Sequence, residues 1–129
     1  MSEQQTILVI DDDPDIRELI KHRLELSGYK VAFAADAATA LTLARKAEPD
    51  LILLDLTLPG GDGFMVLERM QHLATLAHVP VIAVSARDPE PNESRARELG
   101  AVGYIHKPFE TEELLGAIES ALGPRPASL

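Results

Sequence analysis

Five short apolar runs separated by helix-length segments constrain this chain more than any other feature. They span residues 7–10, 31–34, 51–54, 79–84 and 102–105. The first, third and fourth are continuous rather than alternating, as strands are when helices cover both faces of a parallel sheet. The segments between carry helix signals. Asp13 stands as an N-cap before Pro14, whose missing N–H costs nothing at the first helical position, and Gly28 marks the end of that helix. Ile16, Leu19, Ile20 and Leu24 recur on one of its faces. A second helix opens at Asp36, places Ala37, Ala40, Leu41 and Ala44 on a narrow stripe and stops before Pro49. A third runs from about Phe64 through Leu67, Met70 and either Leu73 or Ala74. The last uses Leu114, Leu115, Ile118 and Leu122 behind an acidic first turn of Glu112 and Glu113. Residues 88–100 hold Pro89 and Pro91 and offer only Ala96 and Leu99 in helical register, so this helix is weak and buries little.

Strand and helix alternate five times at the spacing of βαβ units, and 129 residues suffice for one domain at roughly 100 to 200 residues each. With right-handed crossovers the simplest α/β fold is a doubly wound, five-stranded parallel sheet, (βα)5, in the flavodoxin-like order 2-1-3-4-5. Residues 1–122 form the domain, and residues 123–129, with Gly, two Pro and Ser, read as a disordered tail or the start of a linker. Functional groups in such sheets gather at the carboxyl ends of the strands, beside the switch point between the first and third.

Those strand ends carry chemistry. Asp11, Asp12 and Asp13 follow the first strand and Asp55 follows the third. If the strands are neighbours, at least three carboxylates share a pocket, where mutual repulsion calls for protonation or a bound cation; hard oxygen donors favour Mg2+. The plain alternative is that the acids cap a helix and end a strand, but a cap needs only one of them. Ser85 follows the fourth strand and Lys107 the fifth. A hydroxyl and an ammonium facing a carboxylate and a cation make a cradle for phosphoryl oxygens, with Asp55 the best nucleophile.

These residues resemble the receiver domains of two-component response regulators, the family of the single-domain chemotaxis regulator. The likeness covers residues 6–122 and rests on Asp11 and Asp12, the segment LILLDLTLPGGDG from Leu51 to Gly63, Ser85 and Ala86 after VPVIAV, and Lys107, Pro108 and Phe109 after GYIH. It implies that Asp55 accepts a phosphoryl group from a histidine kinase or a histidine phosphotransfer protein. Mg2+ would be held by Asp12, Asp55 and the carbonyl of Thr57, with Asp11 acting through water. Ser85 and Lys107 would contact the phosphoryl oxygens, and the Lys107–Pro108 peptide would be cis. Ser85 and Tyr104 would form the switch that alters the surface of the fourth helix, fifth strand and fifth helix. Thr57 and Arg87 would tune the lifetime of the phosphoryl group. Downstream, the resemblance implies a protein target or a covalently linked output domain, and it leaves open a phosphorylation-dependent homodimer. Counting from Ile10, the last apolar residue of the first strand, assigns the pair to Asp11 and Asp12 and leaves Asp13 as the cap.

Composition narrows the alternatives. Twelve Lys and Arg against 21 Asp and Glu leave a net charge of −9, which argues against direct binding to nucleic acid or anionic membrane. With no cysteine, thiolate metal sites and cysteine nucleophiles are excluded, and no run is long and apolar enough to span a membrane. Lack of a signal-peptide pattern makes a cytoplasmic location the default. A Mg2+-dependent aspartyl-phosphate hydrolase would share the nucleophile, metal and lysine, but the position where it needs a second acid holds Thr57. A receiver-like interaction domain that works without phosphorylation is the other alternative. A flavin or dinucleotide carrier is disfavoured because the first loop is acidic, so Gly60, Gly61 and Gly63 read as a flexible loop beside the metal site. His22, His72, His78 and His106 show no ligand spacing, and His106 reads as a surface residue.

Overall fold

The computed structural model describes residues 4–58 and 61–123. Strands β1 (Thr6–Ile10), β2 (Lys30–Ala34), β3 (Leu51–Asp55), β6 (Val81–Ser85) and β7 (Gly103–His106) form one parallel sheet in the order β2-β1-β3-β6-β7. A two-residue antiparallel ribbon, β4 (Thr57–Leu58) and β5 (Gly61–Asp62), follows β3. With the ribbon set aside, the order is the expected 2-1-3-4-5.

Alternation along each strand sorts the aliphatic residues into two layers. Leu8, Ile10, Ile52, Leu54 and Ala83 join one core with residues of α2 (Ala37–Ala47), α3 (Gly63–Gln71) and α4 (Pro89–Glu98). Ile7, Val9, Leu51, Leu53, Ile82, Val84 and Ile105 join the other with α1 (Pro14–Leu26) and α5 (Thr111–Leu122). All five residues of β3 and of β6 are buried, which explains why their sequences do not alternate.

The predicted helix ends form as the local chemistry dictates. The Asp13 carboxylate accepts from the backbone N–H groups of Asp15 and Ile16 with Pro14 at the first turn, and Asp36 caps α2 through the N–H of Thr39. Gly28, at φ 91°, closes α1: its N–H donates to the Glu25 carbonyl and that of Tyr29 to the Leu24 carbonyl, a geometry that disfavours any Cβ. Ile20 and Leu24 are buried as expected, whereas Leu19 turns outward and is 44% exposed.

Several boundaries shift. The fourth sheet strand begins at Val81 rather than Val79, because Pro80 has no N–H to give the ladder; its carbonyl accepts from Ile52 instead. The fifth starts at Gly103 and leaves Val102 half exposed, while β3 extends through Asp55. Helix α3 stops at Gln71, and of the two candidates beyond it Leu73 packs on the core while Ala74 is exposed. The glycine segment expected as a loop instead pairs: Gly61 lies opposite Leu58, and Asp62 caps α3 through the N–H of Phe64. Gly60 and all of the predicted tail except Gly123 lie outside the described residues. Among those described, no helix is long and apolar enough to cross a membrane.

Candidate functional site

The carboxyl ends of β1 and β3 are adjacent because those strands pair in register, Ile10 beside Leu54. The next residues, Asp11 and Asp55, therefore meet. Asp11 is 2% and Asp55 6% exposed, and one carboxylate oxygen from each, with one from exposed Asp12, lies within 4.8 Å of the others. Asp13 is exposed, with its carboxylate engaged in capping α1.

Lys107 follows β7 and reaches across to the same place. Its Nζ donates to Asp11 Oδ2 at 2.9 Å and lies 3.6 Å from Asp55 Oδ2. The peptide joining it to Pro108 is cis, as expected, and the Glu90–Pro91 peptide is cis as well. Asp11 Oδ1 accepts the N–H of Asp13 and Asp55 Oδ1 the N–H of Thr57, so each buried carboxylate has one oxygen held by backbone and the other near the ammonium. Arg17 stands at the rim, its Nη1 donating to the Asp11 carbonyl at 3.4 Å.

Burial pushes the Asp55 carboxyl above its ordinary value; the Thr57 N–H and the Lys107 charge oppose this, and the charges of Asp11 and Asp12 add to it. For Lys107, burial works against the charged form, but the hydrogen bond to Asp11 and the charges of Asp55 and Asp11 outweigh it and hold the ammonium above its usual range. Three carboxylates against one ammonium leave a local excess of two negative charges, all on hard oxygen donors. Such a donor set fits a divalent cation of the Mg2+ class.

Ser85 is fully buried at the end of β6. Its Oγ accepts the N–H of Arg87 at 3.0 Å, and the Arg87 carbonyl accepts the hydroxyl of Tyr104 at 2.9 Å. The backbone of Arg87 thus stands between the two predicted switch residues. Sequence patterning did not reveal this, because a backbone group carries no residue-type signal. Thr57 is exposed in the ribbon and its N–H serves Asp55; His106 is exposed beside Ser85 in the register. The sequence signal for the ribbon is the Pro59–Gly60 pair, of a kind that favours turns, although both residues lie outside the described ones.

Gly63 fixes the loop that follows β3. A Cβ there would stand 2.7 Å from the Asp55 carbonyl oxygen and closer still to Leu56 Cα, and its N–H donates to the Leu56 carbonyl. Only glycine lets α3 start this near the Asp55 backbone.

Residues 7–119 match the response regulator receiver domain family. The chain is 40% identical over 116 residues to the DNA-binding dual master transcriptional regulator RpaA of Synechocystis sp., covering 90% of this chain and 48% of that protein. It is 36% identical over 118 residues to the phosphate regulon transcriptional regulatory protein PhoB of Pseudomonas aeruginosa, covering 92% and 52%. It therefore spans about half the length of these curated relatives. Among solved structures, the chemotaxis protein CheY4 of Vibrio cholerae superposes with a TM-score of 0.86 at 29% identity, covering 92% of this chain and 99% of that one. The receiver domain of sensor histidine kinase PA1611 from Pseudomonas aeruginosa, which has a magnesium ion coordinated in its active site cleft, gives 0.85 at 29%, covering 94% and 99%.

Proposed function

The chain belongs to the response regulator receiver domain family, the phosphoryl-accepting switches of two-component signalling, and from that premise we propose that Asp55 is its phosphoacceptor. One observation carries the reading: a buried carboxylate shares a cluster of three acids with the ammonium that neutralises it, at the sheet edge where parallel α/β folds carry their chemistry.

The donor is a phosphohistidine on a sensor kinase or phosphotransfer protein. Asp55 Oδ2, the oxygen not held by the Thr57 N–H, attacks phosphorus. A P–O bond forms as the P–N bond breaks, and the imidazole leaves with that electron pair and takes a proton from solvent. Asp12 and Asp55, the carbonyl of Thr57 and, through water, Asp11 would hold Mg2+, which when bound supplies positive charge to the transferring oxygens. Lys107 sits close enough to Asp55 to balance the charge the acyl phosphate adds, while its bond to Asp11 keeps it aimed at the pocket. Ser85 offers a hydroxyl at the adjoining strand end, and its movement toward the new phosphoryl group would disturb Arg87 and Tyr104, hence the face of α4, β7 and α5. Thr57 and Arg87 set the lifetime of the adduct.

The work is done once per signal in the cytoplasm, on the protein itself. The altered face then acts on a protein target or on an output domain such as the relatives of twice this length have room for, or it pairs two copies. Intact mass after incubation with acetyl phosphate tests the reading. One phosphoryl adduct is expected, lost without Mg2+ and lost in Asp55→Ala. An adduct that persists in Asp55→Ala, or steady turnover of an external phosphoester, would overturn it.

A further inference from the structure

Phe64, the second residue of α3, is 1% exposed, and two cations lie on its ring. The guanidinium carbon of Arg95 is 4.1 Å from the ring centroid and that of Arg87 is 5.6 Å away, both inside the roughly 6 Å over which an aromatic quadrupole holds a cation. The two arginines arrive from different elements. Arg95 belongs to α4, and Arg87 to the connection between β6 and α4.

Helix α4 has little else to hold it. Ala96 is its sole buried residue, Asp88 makes no capping bond with its side chain, and Glu90 departs from helical geometry. Arg97 is occupied with Glu93 and the Val102 carbonyl. Arg87 in turn does two things. Its backbone holds the Ser85 and Tyr104 hydroxyls, and its side chain rests on the ring that Arg95 also uses. On its far side Phe64 follows Gly63, which is seated against the backbone of Asp55 and Leu56.

We propose that Phe64 is a positioning residue for the phosphoryl-transfer site: its ring is a shared seat through which Arg87 and Arg95 fasten the Ser85 loop and α4 to the acceptor loop. This deepens the reading of Asp55 as phosphoacceptor and rests on it. Release of Arg95 then does more than loosen a helix. It lets the Arg87 backbone shift, frees the Ser85 hydroxyl from its present partner, and so alters the rate at which Asp55 is phosphorylated.

The test is amide exchange in residues 92–99 of the unphosphorylated protein, together with the initial rate of adduct formation with acetyl phosphate and Mg2+. Arg95→Ala and Phe64→Leu, the latter keeping an apolar side chain without the ring, should each speed exchange about fivefold. The double variant should exchange no faster than Phe64→Leu alone, since loss of the ring already removes the contact that Arg95→Ala deletes. Arg95→Ala should also raise the labelling rate by roughly twofold or more, which a purely structural helix contact would not do. Additive exchange effects, or none, overturn the shared seat; faster exchange with an unchanged labelling rate overturns the link to Ser85. If Phe64→Leu does not fold, Phe64→Met takes its place in the same cycle with Arg95→Ala. Failure of the wild-type protein to form any adduct would sink the phosphoacceptor reading, while the exchange measurement would still decide whether the ring holds α4.

Discussion

Helices α3 and α4 pack on the same face of the sheet and have nearly the same length, nine and ten residues. They are anchored in opposite ways. Helix α3 buries Gly63, Phe64, Val66, Leu67 and Met70, whereas α4 buries Ala96. Apolar area removed from water is the main source of local stability, so opening α4 costs far less than opening α3. The acid half of the site is thus built beside the helix that costs more to open, and the Ser85 half beside the one that costs less. A switch needs both: a fixed place for the chemistry and a neighbour whose position a small change can alter.

Core truncation gives the largest expected difference. Leu67→Ala removes a fully buried side chain of α3 and should cost about 3 kcal/mol, while Ala96→Gly on α4 should cost about 1.5 kcal/mol from one methyl and lost helix propensity. Urea denaturation measures both. Equal losses would break the comparison. Next in size is Gly63→Ala, where the added methyl meets backbone rather than a flexible side chain. About 2 kcal/mol of destabilisation is expected from such overpacking, read as a lower Tm. A neutral result would mean that α3 is not rigidly seated on the backbone of Asp55 and Leu56.

Much of this difference was legible in the sequence. The strand order, the α1 and α2 caps and the weak apolar register of residues 88–100 all followed from local patterns that the fold did not override. The meeting of Asp11, Asp12 and Asp55 followed too, because parallel pairing brings successive strand ends together. What was not legible depends on contacts between distant side chains or on the backbone. No pattern announces that Lys107 is hydrogen-bonded to Asp11, 96 residues earlier, or that Arg95 lies over Phe64. Leu19 belongs to the apolar register of α1 and is nonetheless 44% exposed, because periodicity places a residue on a face and does not say whether that part of the face is covered.

The acid half should show its burial in its response to pH. Asp55 has its carboxyl raised by desolvation, so the folded state holds a proton there more tightly than the unfolded chain does. Stability from this group falls as pH rises from the unfolded value through the folded one, because the buried charged form is the costly one. In metal-free buffer, Asp55→Asn should therefore have a higher Tm than wild type at pH 7. The advantage should shrink as pH drops through the carboxylate range. Lys107 acts in the opposite sense: its raised value stabilises the fold until strongly alkaline pH, so Lys107→Met should lower Tm at pH 7. A variant pair without these opposite signs would show that the cluster is more hydrated than its burial suggests.

The smallest expected effect separates the two helices most cleanly, because it compares the same residue at the same position. Asp62 and Asp88 each stand at the N-cap of their helix, α3 and α4. Asp62 accepts the N–H of Phe64 at 2.9 Å, while Asp88 makes no such bond and contributes its backbone carbonyl to Asn92 instead. Loss of a working cap costs about 1 kcal/mol, and the charge itself adds a few tenths at a helix N-terminus. Asp62→Ala should thus lower stability by about 1 kcal/mol and Asp88→Ala by less than about 0.5 kcal/mol. If Asp88→Ala costs as much as Asp62→Ala, the start of α4 is held in solution by a cap of the same quality as that of α3. The contrast between a fixed helix and a movable one would then have to rest on buried area alone.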